Sequence, residues 1–131
     1  MKDTRNEYIR QWLLKADEDL LVVNTLIEQN FSAKASICFH CQQAAEKYLK
    51  AFLIAHDKDF PKTHSIEYLL AACSTIDKAF EQVDPLNLSD FGVGARYPGD
   101  LYLPTEDEVL TYKEIVLSIK KLVENRLTSN T

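Results

Sequence analysis

The stretch AKASICFHCQQAAEKYLKAFLIAH, residues 33–56, decides the fold because it contains neither glycine nor proline and is apolar around most of a helical circumference. At about 3.6 residues per turn, its apolar side chains form two neighbouring stripes. One stripe contains Ile37, Cys41, Ala44, Tyr48 and Ala51. The other contains Cys38, Ala45, Leu49, Phe52 and Leu53. Because other helices must cover both stripes, we predict a central helix from Ala33 to His56.

A narrow polar strip remains on this helix, and its members follow one another by three or four residues along one edge. They are Ser36, His40, Gln43, Lys47 and Lys50. Functional side chains are sought here first, because the rest of the helix surface is needed for packing.

Two further helices are predicted on either side of the central one. Residues Thr4 to Gln29 show the pattern of a long amphipathic helix, whose packing Trp12 should anchor. The short connection makes this helix an antiparallel neighbour of the central helix, and Ser32 is the expected N-cap. A third helix is expected near residues 65–75, capped by Thr63 or Ser65, with a weaker helical pattern continuing towards residue 85.

The last third of the chain combines an irregular stretch with a final helix. All three glycines fall between Pro85 and Pro104, where the only regular element expected is a short helix over residues 86–91. Thr105 and Glu108 have the spacing of a capping box that opens the last helix. We therefore predict an all-α fold: an antiparallel, up-and-down bundle of four main helices with one or two short ones, forming a single domain over residues 1–131.

Composition and charge restrict the function. The 131 residues carry a net charge of −5, and residues 32–73 are the least acidic part, so an anion is best accommodated there. A protein of this sign is a poor candidate for tracking along duplex DNA, where affinity depends on many phosphate contacts. The charged start of the sequence predicts neither a signal peptide nor a membrane span, and we expect a cytoplasmic protein.

The cysteines are interpreted as small core residues. Cys38 and Cys41 form a C-x-x-C pair, but both lie in the middle of a helix and lack a second ligand pair at zinc-binding spacing. No phosphate-loop, dinucleotide or metal motif occurs, so no cofactor and no metal are expected.

Four segments, in this order and spacing, resemble the HEPN domain, a helical family named for nucleotide binding in higher eukaryotes and prokaryotes. The first is a helix containing Trp12 and the sequence ADEDL at residues 16–20. The second is CQQAAEKYLKA at residues 41–51, the third is PKTHSI at residues 61–66, and the fourth is RYP at residues 96–98. The resemblance covers nearly the whole chain.

The resemblance implies a helical bundle, frequently dimeric, that works with a small nucleotidyltransferase in a toxin-antitoxin-like pair. Many relatives are ribonucleases whose signature is an arginine followed, after four to six intervening residues, by a histidine. Here Arg96 is the candidate arginine, but the positions for the histidine hold Leu101, Tyr102 and Leu103. This departure argues against the family's metal-independent RNA cleavage.

Lys47 and Lys50 are candidate phosphate ligands, because two ammonium groups one turn apart make a local positive site. The alternative is that they reach solvent or pair with Glu46 and nearby acids. Gln43 is expected either to line the same groove or to bond a loop backbone across a subunit contact.

Arg96 is the strongest single candidate for an anion contact, since a guanidinium in a glycine-rich loop can offer two parallel donors. Its alternative role is to tie the loop to Asp90 or Asp100. Tyr97 is a candidate for stacking on a base, or else packs the loop.

The three histidines are weaker candidates for functional residues. His64, at the start of a helix, is included among the ligand candidates, although local hydrogen bonding near Thr63 and Ser65 is its expected role. His40 and His56 have no acidic or nucleophilic neighbour at a useful helical spacing.

The resemblance, together with these residues, implies three possible functions. The first is a non-catalytic module that binds a nucleotide or a nucleotidyltransferase-type partner. The second is a ribonuclease with a non-standard site around Arg96, in which Tyr102 or His64 replaces the missing histidine. The third is a homodimeric scaffold in which the polar strip and the Arg96 loop border the subunit contact and enclose a shared cleft.

Overall fold

Four helices occupy most of residues 2–92 and 103–128, which are the parts of the chain that the computed structural model describes. They are α1 (Lys2–Glu28), α2 (Lys34–Ala55), α3 (Ile66–Ser74) and α4 (Glu106–Thr128). Two short 3₁₀ helices, Lys78–Gln82 and Leu88–Phe91, lie between α3 and α4. These ranges contain no strand, and the predicted all-α bundle of four main helices is confirmed.

α2 is the centre of the bundle, as its two apolar stripes predict. It packs against α1, α3 and α4, and every residue of both stripes is fully buried. Burying a leucine, isoleucine or phenylalanine side chain contributes about 1.5–3 kcal/mol, so these stripes supply a large part of the folding energy. The other helices are therefore positioned by the surface of α2.

α1 and α2 are antiparallel. Near the start of α1, the Arg5 guanidinium donates to the carbonyl oxygens of Ile54, at 3.1 Å, and Ala55 at the end of α2. Arg5 also lies 3.3 Å from the Asp57 carboxylate. A cation at a helix C-terminus satisfies carbonyls that lack partners within the helix, so Arg5 joins the two helices at this end of the bundle.

The expected caps of α3 and α4 are present. Ser65 accepts a hydrogen bond from the backbone N–H of Tyr68, which selects it from the two predicted caps of α3. At α4, the Thr105 hydroxyl accepts from the Glu108 N–H while the Glu108 carboxylate accepts from the Thr105 N–H. The capping box is confirmed.

The prediction that Ser32 caps α2 was wrong. The Ser32 hydroxyl instead donates to the Gln29 carbonyl, 2.6 Å away, and Ala33 occupies the N-cap position without a side-chain hydrogen bond. Asn30, Phe31 and Ala33 all have positive φ angles, because the chain must reverse within a few residues. The backbone conformation of this tight turn therefore leaves α2 without a side-chain cap.

Replacing Ala33 by glycine is expected to stabilise the protein by about 0.5–1 kcal/mol, because relief of the left-handed conformation outweighs the greater freedom of the unfolded chain. Urea unfolding followed by circular dichroism measures the change. The matched control is Ala71→Gly at an exposed position inside α3, which should lower stability by about 0.5–1 kcal/mol. Equal losses for both variants would contradict this assignment of strain to Ala33.

Candidate functional site

A buried carboxylate, Glu46 in the middle of α2, organises the polar groups on this side of the bundle. One of its oxygens accepts hydrogen bonds from the Gln42 amide at 3.1 Å and from His64 Nδ1 at 2.9 Å. Its other oxygen accepts from Lys50 Nζ at 2.9 Å. We call these four residues, Gln42, Glu46, Lys50 and His64, the Glu46 cluster.

The Glu46 cluster holds Glu46 in its charged form. Burial alone would raise the pKa of this carboxyl group, but the hydrogen bonds from Lys50, His64 and Gln42 outweigh burial and lower the pKa below its ordinary value of 4.5. Lys50 is almost as buried as Glu46, so the two charges compensate one another inside the protein. The interior of the cluster is thus electrically balanced without any ligand.

Aromatic rings enclose the Lys50 ammonium from two further directions. Its Nζ lies 5.9 Å from the centre of the Trp12 ring and 5.6 Å from the centre of the Phe60 ring. Attraction between a cation and the faces of aromatic rings is strengthened where water is excluded. Lys50 therefore links α1 and the segment after α2 to the Glu46 cluster.

His64 is the most accessible member of the Glu46 cluster, with half of its side chain exposed. Because an ionised carboxylate can only accept hydrogen bonds, Nδ1 must carry the proton that is shared with Glu46. The backbone carbonyl of His64 is also held, since it accepts from the Gln42 amide at 2.9 Å. The imidazole is thus fixed from behind by Glu46, instead of bonding within the Thr63–Ser65 region as expected from the sequence.

Gly92, which begins the glycine-rich segment, lies directly against this cluster. A Cβ atom added to Gly92 would come within 3.1 Å of the Gln42 side-chain amide. The φ angle of Gly92 is −68°, so the close approach to Gln42, and not an unusual backbone conformation, favours glycine here. Arg96 and Tyr97, the predicted anion and base contacts of this segment, lie outside the described residues.

A second polar group joins α1 to α2 beside the first. The Asp19 carboxylate lies 2.8 Å from His40 Nδ1 and 2.5 Å from Lys47 Nζ. His40 therefore has an acidic neighbour on α1, which the sequence-based expectation did not cover because it concerned helical spacing within α2. A neighbouring carboxylate, Asp17, accepts from the Tyr48 hydroxyl and lies 3.3 Å from Lys120 of α4.

The predicted lysine pair is thus divided between two carboxylates. Lys47 pairs with Asp19 and Lys50 pairs with Glu46, which is the structural alternative considered for them above. Gln43 donates to the side-chain oxygen of Gln42, 2.7 Å away, and so supports the edge of the Glu46 cluster. Any phosphate that reached these lysines would have to compete with their internal partners.

Sequence reasoning missed three residues of this region, Gln42, Glu46 and Lys62. Glu46 was treated only as a partner for a solvent-facing lysine, although its position beside Leu53, at the margin of the second apolar stripe of α2, was a signal of burial. Lys62 was not considered, yet it is exposed two residues before His64 and makes no ion pair within residues 4–92 and 103–127. The accessible positive groups of the site are therefore Lys62 and, when protonated, His64.

The C-x-x-C pair is a packing feature. Cys38 and Cys41 are fully buried free thiols, as is Cys73. Burial raises the pKa of Cys38 and of Cys73 to about 12 and raises that of Cys41 as well, which suppresses the reactive thiolate form. Within the described part of the chain, no cluster of three metal-ligating side chains occurs.

A separate apolar groove of about 660 Å³ lies between the first 3₁₀ helix and α4. Its lining includes Val83, Ile115 and Leu122, and Leu86 at its margin is 51% exposed. None of the predicted ligand residues that the structure describes lines this groove. None of the described helices combines the length and hydropathy that a membrane span requires.

Replacing Glu46 by glutamine should lower the free energy of unfolding by about 3 kcal/mol near neutral pH, because Lys50 is left buried without a counter-charge. Since the folded-state pKa of Glu46 is depressed, its stabilising contribution is fully present above pH 4.5 and disappears as the pH falls through the folded-state value. The difference between wild type and Glu46→Gln should therefore narrow in acid. Urea unfolding at a series of pH values measures it.

The control for that experiment is Glu114→Gln on α4, an exposed carboxyl group, which should change stability near neutral pH by less than about 0.5 kcal/mol. The difference in free energy of unfolding between wild type and Glu46→Gln could instead stay constant from neutral pH to about pH 3. That result would show that the charge of Glu46 is not the source of the stability.

The comparisons with known proteins agree with this architecture. A family model described as the HEPN domain matches residues 9–126, from within α1 to near the end of α4. Comparison with curated proteins gives no match. The family match supports a nucleotide- or RNA-related module in general terms. With most of its length matched, the chain belongs to the HEPN domain family.

Proposed function

We propose that this HEPN domain is a non-catalytic module that binds a phosphate-bearing ligand, such as a nucleotide, at the exposed edge of the Glu46 cluster. The observation that carries the proposal is a half-exposed imidazole, His64, fixed from behind by a buried carboxylate. Binding to a side chain that is already fixed costs less conformational entropy than binding to one that must first be ordered.

Charge at this edge favours an anion. Lys62 extends from the same segment as His64 and has no carboxylate partner among the described side chains. Glu46, which accepts from His64, is buried and compensated by Lys50. Lys62 can therefore attract an incoming phosphate beside His64 without opposition from the buried charge of Glu46.

We further propose that Arg96 and Tyr97, which follow Gly92 in the sequence and lie outside the described residues, contribute to this ligand site. A guanidinium adds the two-pronged contact to phosphate that an ammonium or imidazole lacks. Lys47, Lys50 and Gln43 are assigned a supporting position, since each already bonds another side chain of the bundle.

Nucleoside monophosphates at a hundred times their dissociation constant should raise the free energy of unfolding by about 2.7 kcal/mol, measured as a shift in thermal unfolding. His64→Ala and Lys62→Ala should weaken this response, and Arg96→Ala should abolish it. Lys121→Ala is the control, because this exposed lysine lies at the separate groove beside α4. No shift with any nucleotide at millimolar concentration would refute the proposed ligand.

A second candidate function, RNA cleavage, is favoured by the pairing of His64 with Glu46. A carboxylate that accepts from Nδ1 orients an imidazole so that its other nitrogen can exchange a proton with a substrate. His64 was one of two residues considered as a replacement for the missing histidine, and the other, Tyr102, lies outside the described residues. This candidate differs from the first in requiring turnover.

If His64 acts as a general base, incubation with single-stranded and structured RNA should produce cleavage, which His64→Asn and Arg96→Ala should each reduce by about 100-fold or more. Products are measured by gel electrophoresis. The control His40→Asn removes the other histidine that pairs with a carboxylate. The enzyme function is excluded if cleavage is absent, or if it persists unchanged in the two site variants.

We also propose that the module assembles with a small nucleotidyltransferase-type protein and forms a homodimer. Apolar side chains remain on the surface, including Leu14 and Leu21 of α1, which are 51% and 63% exposed. Such exposure supports association but does not identify the partner. Light scattering should give twice the chain mass of 15.0 kDa, and the monomer mass would refute the homodimer.

A further inference from the structure

The apolar groove beside α4 is bounded by a segment of the chain that is tied to α4 at both ends. Asp77, which precedes the first 3₁₀ helix, accepts a hydrogen bond from Arg126 near the end of α4 at 2.7 Å. Asn87, at the other end of the segment, accepts from the Tyr112 hydroxyl near the start of α4. The segment therefore runs antiparallel to α4. Both walls of the groove are thus held in place by bonds within the chain.

The dimensions of the groove fit a row of side chains from a helix. The α4 residues that line it run from Thr111 to Asn125, which corresponds to about 21 Å along the helix axis. With a volume of about 660 Å³, the groove has a mean cross-section of about 30 Å². A whole helix is about 10–12 Å wide and cannot enter such a space, but the side chains of one face can. The groove therefore suits one face of a helix about four turns long.

A strained leucine stands at the margin of the groove. Leu86 has a φ angle of 50°, and half of its side chain is exposed. Its backbone N–H donates to the Asp84 carboxylate at 2.9 Å, which holds the turn in this conformation. A left-handed conformation is unfavourable for leucine, and an exposed side chain gains little from burial in return. Strain of this kind collects at binding sites, and here it presents an apolar group to the groove.

The two ends of the groove carry opposite charges. Glu114 lies near Tyr112, and Asp84 lies on the opposite wall close to Asn87, which bonds to Tyr112. Lys121 lines the groove two turns of α4 further on, and all three charged side chains are exposed. A helix is most stable with acidic residues in its first turn and basic residues in its last turn. Such a helix matches the groove when it lies antiparallel to α4.

We propose that this groove binds an amphipathic helix of a partner protein, with an acidic first turn and a basic last turn, antiparallel to α4. Apolar side chains at positions i, i+4, i+7 and i+11 of that helix enter the groove against Val83, Ile115 and Leu122. Two copies of this chain cannot fill it by symmetric pairing, because two identical concave surfaces leave the space between them empty. The described residues of the proposed phosphate site do not line the groove, so the two proposals are independent.

Fluorescence anisotropy with a labelled, designed peptide of about 14 residues tests this proposal. The peptide carries leucines at the apolar positions, glutamates in its first turn and lysines in its last turn. It should bind about 5- to 10-fold more tightly than a peptide with the two charged ends exchanged, because like charges then meet at both ends of the groove. A third peptide with proline at its centre cannot form the helix and should bind more weakly still.

Two variants of the protein locate the binding surface. Leu86→Asn removes an apolar side chain and introduces a residue that tolerates positive φ, so the protein should remain folded while peptide affinity falls about 4- to 12-fold. The matched control is Leu110→Asn, because Leu110 is 42% exposed on α4 and does not line the groove. The double variant Glu114→Lys/Lys121→Glu keeps the net charge of the protein and should reverse its preference between the two charged peptides.

Three results would overturn the helix-binding groove: no binding of the first peptide at about 1 mM, equal affinities for the three peptides, or an affinity that Leu86→Asn leaves unchanged. A dimer of the wild type that Leu86→Asn converts to a monomer, measured by light scattering, would assign the groove to a second copy of this chain and also overturn the proposal. None of these results affects the phosphate site, which nucleotide binding tests separately.

Discussion

The hydrogen bonds to the Glu46 carboxylate are the constraint on which the described site depends. Placing a charge inside a helical bundle is costly, so its position is acceptable only while its partners hold their places. Lys50 fixes one oxygen from the next turn of α2, and His64 fixes the other from the segment that leads into α3. The carboxylate thereby ties the route of the chain after α2 to the helix at the centre of the fold.

In this arrangement two lysines of α2 are paired with carboxylates inside the bundle, and the lysine of the site that has no ion-pair partner among the described residues lies at the surface. Asp19 and Glu46 compensate Lys47 and Lys50 within the bundle, whereas Lys62 stands free of any described carboxylate. α2 can bind fewer anions than its number of lysines suggests, because carboxylates of α2 itself and of α1 already pair with Lys50 and Lys47. The geometry places the accessible positive charge on the segment before α3.

The sequence predicted features that depend on regular spacing within one element. The two apolar stripes of α2 and the Thr105–Glu108 capping box follow from helical geometry alone, and the structure contains them. Contacts between elements were not predictable in this way. His64 reaches Glu46 across 18 residues, and His40 reaches Asp19 across 21, so neither partner is visible in a local pattern. The α1–α2 turn was misjudged because its backbone conformation, and not its side chains, determines how α2 begins.

The close approach of Gly92 to Gln42 has a consequence for how related sequences can vary. The Gln42 amide contacts Glu46 and the His64 carbonyl on one side and faces the glycine on the other. A larger residue at position 92 would push that amide and so disturb the support of the imidazole. Positions 42 and 92 are therefore expected to change together among homologues. A homologue with a larger residue in place of Gly92 should have a smaller residue in place of Gln42.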